Sequence, residues 1–140
     1  MVVKKDSLIA IVRVRGTVGV RKDIAETLDR LGLKHPNNLA LVRATDSSIG
    51  MIAKCSSYIA YGEISSDVLA KVLESEGLKL SSEELAAIAS GAKPLRDVVQ
   101  MPIRLHPPRH GYKGTRKPYG HGGALGYRGN AINELIRRMV

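Results

Sequence analysis

The chain has 140 residues and a formal net charge of +9, enough length for one domain of ordinary size plus an extension. Its 44% hydrophobic residues include no Phe and no Trp, so a core has to be packed from Val, Ile, Leu, Ala and Met. The single cysteine, Cys55, excludes an internal disulfide and fits a reducing compartment, and apolar runs such as Leu8 to Val12 stay far below the roughly 20 residues of a membrane helix.

Leu8 to Val14, LIAIVRV, is continuously apolar and then alternating, the pattern of a central strand. The N-terminal run breaks at Arg13 with no small-residue cleavage site after it, so the protein reads as cytosolic. GTVG at Gly16 to Gly19 makes a flexible turn. Ile24, Leu28 and Leu31, at i, i+4 and i+7, predict a helix with Gly32 placed to cap its end. Asp23 and Glu26 suit the positive start of that helix, whereas Arg21 and Lys22 oppose its dipole. Residues that oppose a local preference point to a partner. A phosphate over this helix start would be held by backbone N–H groups and by the two cations.

Asn38 to Ala44, NLALVRA, is the second strand, entered by a turn at His35, Pro36 and Asn37. Thr45, Asp46 and Ser47 offer caps for a helix through SIGMIAKC, with Ile49, Ile52 and Ala53 on one face. Gly50 weakens that helix by about 1 kcal/mol relative to alanine; close packing on the sheet and close approach of an RNA backbone both account for it. Cys55 reads as a small buried hydrophobe rather than a nucleophile. Tyr58 to Ile64, YIAYGEI, is the third strand.

Ser65 and Ser66 cap a helix with Val68, Leu69, Val72 and Leu73 inward, ending at Gly77. Ser81 and Glu84 form the capping box of another, with Leu85 and Ile88 inward and Gly91 after its end. Val98, Val99 and Ile103 give a short strand. Asn130 caps a last helix in which Ile132, Leu135, Ile136 and Met139 form an apolar stripe, expected to dock on the body. The order strand, helix, strand, helix, strand implies an α+β body with one layer of helices on a small antiparallel sheet. No internal repeat is found.

Between Met101 and Gly129 the composition changes. This stretch of 29 residues holds Arg104, Arg109, Lys113, Arg116, Lys117 and Arg128, no Asp or Glu, seven of the 14 glycines and four of the six prolines. Residues 1–100 carry 14 Lys/Arg against 12 Asp/Glu, a net of +2, and residues 101–140 carry eight against one, a net of +7. A nearly neutral body with a basic extension is expected when one part folds and the other neutralises phosphates. The stretch cannot bury enough apolar surface to order itself and should take its shape from a polyanion. Tyr112, Tyr119 and Tyr127 lie among its cations, a mixture suited to stacking on exposed bases of RNA; packing on the body is their other reading.

Other chemistries fit less well. GGALGYRG at Gly122 to Gly129 looks like a nucleotide-binding loop, but no buried strand leads into it and no Gly-Lys-Ser/Thr occurs. GYKG and GYRG match the GxxG clamp of KH domains, yet Pro107, Pro108 and Pro118 flank the first and forbid the helices it needs. His106, His110 and His121 sit among cations with no paired carboxylate, while Asp67, Glu74, Glu83 and Glu84 serve as caps and exposed helix faces. No catalytic set and no metal quartet emerges, so neither enzyme activity nor a cofactor is expected.

GTVGVRKDI, LGLK at Leu31 to Lys34, LVRATDSSIGMIAK at Leu41 to Lys54, IRLHPPRHGYKG and GGALGYRGNAINELIRRM together resemble one family over nearly the whole chain. It is the large-subunit ribosomal protein of the L-thirty family, in its longer archaeal form, related to the eukaryotic L-seven protein. The resemblance implies a β-α-β-α-β ferredoxin-like body at residues 1–64 and a C-terminal subdomain at residues 65–140. It implies binding to large-subunit rRNA, with 5S rRNA and other ribosomal proteins as neighbours, as a monomer within a cytoplasmic ribosome and without catalysis. RNA contacts carried over are Arg15, Arg21, Lys22, Arg43, Gly50 and Lys54, with Arg104, Arg109, Lys113, Arg116, Lys117, Tyr119 and Arg128 in the basic stretch. The basic N-terminal arm of eukaryotic members is missing, and His110 stands where a second glycine is expected. A free-standing RNA-binding or RNA-chaperone protein is the alternative, and a small enzyme with a basic substrate loop the reading from another class.

Overall fold

A computed structural model describes residues 8–16, 19–43, 45–75, 103–108, 111, 123 and 125–140. Its centre is β1 (Leu8–Arg13), flanked by β2 (Asn38–Arg43) and β3 (Ile59–Glu63). β1 is antiparallel to both neighbours, with Ile11 opposite Ala40 on one side and Tyr61 on the other. All six residues of β1 are buried, which is the physical reason that its sequence is apolar without alternation.

Two separate cores explain that burial. Leu8, Ala10 and Val12 point to one face of the sheet and Ile9 and Ile11 to the other, as the twofold period of a strand requires. α1 (Lys22–Arg30) and α2 (Asp46–Lys54) cover the second face, contributing Leu28 and Ile52. α3 (Ser66–Ser75) and α4 (Ile132–Met139) cover the first, contributing Val68, Leu69, Val72 and Leu73 together with Ile132, Leu135, Ile136 and Met139. The α+β class is as expected, and α1 and α2 form the expected single layer of the body; α3 and α4, from beyond residue 64, cover the opposite face.

The sheet has five strands in the order β4-β2-β1-β3-β5, where β4 is Ile103–Arg104 and β5 is Gly126–Tyr127. β4 is antiparallel to β2, but β5 runs parallel to β3. The sheet is therefore mixed, not purely antiparallel. Two-residue strands carry no periodic signal, so nothing local announces β5 or its direction. The basic stretch is consequently held at opposite edges of one sheet, at β4 beside β2 and at β5 beside β3.

Local chemistry sets most of the boundaries. Beyond α1, Gly32 has a φ of +81°; its N–H reaches the Asp29 carbonyl at 3.0 Å and the Leu33 N–H the Leu28 carbonyl at 2.8 Å. This is the Schellman pair of bonds, with Leu28 and Leu33 both buried in the same core. Thr45 caps α2 by accepting from the Ser48 N–H at 3.2 Å. Two details differ from expectation. Ala53 is exposed and Met51 packs on the core instead. The cap position of α4 is Ala131 rather than the expected residue 130, because a short 3-10 turn at Gly129–Ala131 precedes the helix.

α4 docks as expected, with Ile132, Leu135, Ile136 and Met139 each 0% exposed, and burial of such side chains contributes about 1.5–3 kcal/mol each. Its start lies close to β3. A Cβ placed on Gly62 would collide with the Gly129 carbonyl oxygen and come within 3.0 Å of Ile132 Cγ2, so glycine is required by backbone approach. Asn133 fastens the same junction, accepting from the Ser65 N–H at 2.8 Å and donating to the Glu63 carbonyl at 3.2 Å. Gly77, the helix expected around Leu85 and Ile88 with Gly91 after it, and Val98 and Val99 lie outside the described residues. No helix among the described residues is long and apolar enough to cross a membrane.

Candidate nucleic-acid interface

The end of the sheet where β1 finishes is built on Arg13, which the sequence reading did not select. Its position in β1 turns it into the core, and it is only 3% exposed. A buried guanidinium must satisfy its donors. Nη1 donates to the Leu33 carbonyl at 2.7 Å and to that of Lys34 at 3.1 Å; Nε donates to the Arg15 carbonyl at 3.0 Å and Nη2 to that of Gly16 at 3.2 Å. Arg13 thus ties the loop after β1 to the connection between α1 and β2. Burial pulls its pKa below the ordinary arginine value, and an arginine so placed still keeps its charge at neutral pH.

Arg15 is held immediately beside it. The N–H groups of Val14 and Arg15 both donate to the Tyr58 carbonyl, at 3.0 and 3.2 Å. The Arg15 guanidinium lies over the Tyr58 ring, 5.0 Å from its centroid, within cation–π range. Tyr58 itself is set by a turn after α2, where its N–H donates to the Cys55 carbonyl at 2.9 Å. Cys55 is fully buried, and burial pushes its thiol pKa up, as befits a small apolar packing residue rather than a nucleophile.

The start of α1 completes this end. Arg21 binds Asp23 through two bonds, Nε to Oδ1 at 3.1 Å and Nη2 to Oδ2 at 2.6 Å, and Lys54 Nζ lies 3.9 Å from Oδ2. Asp23 Oδ1 also accepts from the Ile24 N–H at 3.0 Å. The carboxylate therefore already stands at the position where a phosphate over the helix start would sit, and the Arg21 hydrogen bond holds its pKa below the usual carboxylate value. Lys22 is exposed and borders a groove of about 330 Å³ with Arg13, Val20, Ala25, Glu26, Asp29 and Lys34.

The other candidates are distributed by strand register. Arg104 is exposed opposite Asn38; the Asn37 N–H bonds the Arg13 carbonyl at 2.9 Å, which places Arg104 near the same end. Arg43 lies opposite Leu8, at the other end of β1. Arg128 follows β5, its N–H bonded to the Tyr61 carbonyl at 2.8 Å, and the parallel pairing of β5 with β3 directs the chain there towards that other end. Gly50 is exposed, and a Cβ on it would meet nothing within 4 Å, which removes close packing on the sheet as its explanation. Arg109, Lys113, Arg116, Lys117 and Tyr119 lie outside the described residues.

Tyr127, expected either to stack on bases or to pack on the body, packs. Its ring centroid is 5.7 Å from that of Tyr61 and its hydroxyl donates to Glu63 Oε1 at 3.2 Å. Burial, the Glu63 charge and that hydrogen bond all raise its pKa. α4 holds the entry of the basic stretch as well: the His106 N–H donates to the Met139 carbonyl at 3.1 Å and Arg138 Nη1 to the Gly111 carbonyl at 3.2 Å. Among the described residues no group of three or more His, Cys, Asp or Glu is placed to hold a metal ion.

Arg13 and Tyr58 are the two residues of this surface that sequence reasoning missed. A charged residue inside a buried run was the available signal for Arg13; Tyr58 carried none, because its partner is 43 positions away.

Comparison with known proteins shows the family to which the chain belongs. Residues 9–59, from β1 to the start of β3, match the family model described as ribosomal protein L30p/L7e. A protein named large ribosomal subunit protein uL30 from Methanoregula boonei is 39% identical over 93% of this chain and 98% of its own length. Proteins of the same name from Methanobrevibacter smithii and Methanococcus maripaludis are 40% and 39% identical, over 93% and 94% of this chain and 98% of each relative. With such identity sustained over both the body and the C-terminal part, the chain belongs to the ribosomal protein L30p/L7e family.

Proposed function

We propose that the protein is a structural constituent of the large ribosomal subunit that binds and stabilises rRNA during assembly and translation. The observation that carries this reading is the gathering of Arg15, Arg21, Lys22, Lys54 and Arg104 at one end of the sheet, on a chain aligned over 93% of its length with a relative named large ribosomal subunit protein. Cations held on a rigid frame can meet phosphates without first losing conformational entropy. Arg21 and Lys54 exchange Asp23 for phosphate as RNA arrives. Arg43 and Arg128 serve a second contact at the opposite end, and Gly50 lets an RNA backbone approach α2.

In this reading residues 1–64 are the rRNA-binding body and residues 65–140 a subdomain whose basic stretch, with Arg109, Lys113, Arg116, Lys117 and Tyr119, follows the irregular rRNA backbone between its two anchored ends. The partners are large-subunit rRNA, 5S rRNA and neighbouring ribosomal proteins, with one copy per cytoplasmic ribosome and no catalysis. About six phosphate contacts in the stretch give a slope of roughly −4 to −5 in log K against log salt.

Sedimentation of a cell extract on sucrose gradients at moderate and high salt tests the reading. Co-migration with the large subunit at one copy per particle is expected. A peak in light, RNA-poor fractions at both salts would overturn it. Replacing Arg109, Lys113, Arg116 and Lys117 by alanine should flatten the salt slope while leaving the body folded.

A further inference from the structure

We infer that Arg15 and Tyr58 form a stacking platform for one unpaired base, so that this end of the sheet recognises a single-stranded feature of the rRNA as well as its phosphates. The inference rests on the rRNA reading above and specifies what is bound.

Three observations lead to it. First, Arg15 and Arg21 differ in what they contact among the described residues: Arg21 is engaged by a carboxylate, whereas the Arg15 guanidinium is laid on an aromatic ring at 5.0 Å. A guanidinium plane and a phenol ring are the two kinds of surface on which unstacked bases are received. Second, both members are held in place before any ligand arrives. The Tyr58 carbonyl binds the Val14 and Arg15 N–H groups, and Arg13 fixes the carbonyls of Arg15 and Gly16. Third, the aromatic ring is taken up by the core only in part: Tyr58 packs against the core on the α1/α2 face but is not enclosed by it. The chain has five tyrosines and no Phe or Trp; Tyr61 and Tyr127 pack on each other, whereas Tyr58 remains half-buried beside a cation. Lys54, four residues earlier in the chain, and Arg21 meet at Asp23 and supply charge for a phosphate next to the base.

The test uses the full-length protein and a transcript of archaeal large-subunit rRNA, with Tyr58→Phe, Tyr58→Leu and Arg15→Lys variants whose folding is checked by circular dichroism. Stacking predicts that Tyr58→Phe binds within about twofold of the parent, while Tyr58→Leu loses about tenfold with an unchanged salt slope. Arg15→Lys keeps its charge but loses its plane, so it too should bind about tenfold more weakly at an unchanged slope. Ultraviolet zero-length crosslinking of the parent protein, read by mass spectrometry, should attach Tyr58 to a nucleotide that is unpaired in the rRNA.

Equal affinity of Tyr58→Leu and the parent would overturn the platform and leave the rRNA reading standing. A crosslink from Tyr58 to a base-paired nucleotide would do the same. Failure of the parent itself to bind the transcript would remove the rRNA reading and the platform with it.

Discussion

The Arg13 Nη1 donates to the Leu33 carbonyl oxygen at 2.7 Å, and the two residues are 20 positions apart. Through this bond and three others to carbonyls the guanidinium closes the end of the sheet where β1, α1 and β2 meet. Hydrogen bonds from a charged donor contribute more than neutral ones, and carbonyls left buried without a donor are costly. Arg13→Met should therefore destabilise the protein by about 3 kcal/mol, measured by urea denaturation. Arg13→Lys keeps the charge but lacks the fork, and should recover less than half of the loss. A parent-like midpoint for Arg13→Met would show that the network contributes nothing to stability.

Gly62 and Gly50 make an opposed pair. A methyl group on Gly62 meets the Gly129 carbonyl and Ile132, so Gly62→Ala should cost about 1–3 kcal/mol and speed hydrogen exchange in α4. A methyl group on Gly50 meets open space in the middle of a helix, so Gly50→Ala should stabilise the free protein by about 1 kcal/mol. Under the proposed function the same Gly50 change weakens rRNA binding, because it fills the space that the RNA backbone takes. Thermal melts and filter binding on the two variants separate these effects.

The Tyr61–Tyr127 pair makes stability depend on alkaline pH. Both phenols have pKa values raised from 10.0, chiefly by burial, and Tyr127 also by Glu63. A raised folded-state pKa means that the native state holds its protons more tightly than the unfolded one. The associated stability is present below pH 10.0 and is lost as pH rises above it towards the folded-state values. Urea midpoints should fall across that window. Tyr127→Phe, which removes one of the titrating groups, should make the decline shallower.

Under the proposed function, Asp23 restrains RNA binding. It engages Arg21 and lies near Lys54, so Asp23→Asn frees two cations and raises net charge by one. Affinity for large-subunit rRNA should increase at low salt, with a slope steeper by about one unit. The carboxyl pKa lies below 3.8 because of Arg21. In Arg21→Gln, an NMR titration of Asp23 should move back up towards that value. No such movement would mean that the ion pair does not persist in solution.

The periodic parts of the fold were legible before any coordinates. LIAIVRV, the stripe of Ile132, Leu135, Ile136 and Met139, and the cap offered among Thr45, Asp46 and Ser47 each express a pattern shared by residues a few positions apart, and such patterns survive translation into strands, stripes and caps. The candidate site was legible only as a set of charges. That Arg21 and Lys54 meet at one carboxylate, while Arg43 and Arg128 lie at the far end, follows from strand register, which no local pattern announces.

By itself, then, the sequence determined the order of elements through α3, most of their inward faces and the concentration of charge after residue 100, because these depend on neighbours along the chain. Only the tertiary structure decided that helices cover both faces, that β5 lies parallel to β3, that Arg13 is a buried brace and that Tyr58 carries Arg15. The physical reason is the same in each case. These features arise from contacts between residues far apart in the chain, and a side chain such as Arg13 changes from an exposed charge to a structural donor only when distant carbonyls are brought to it.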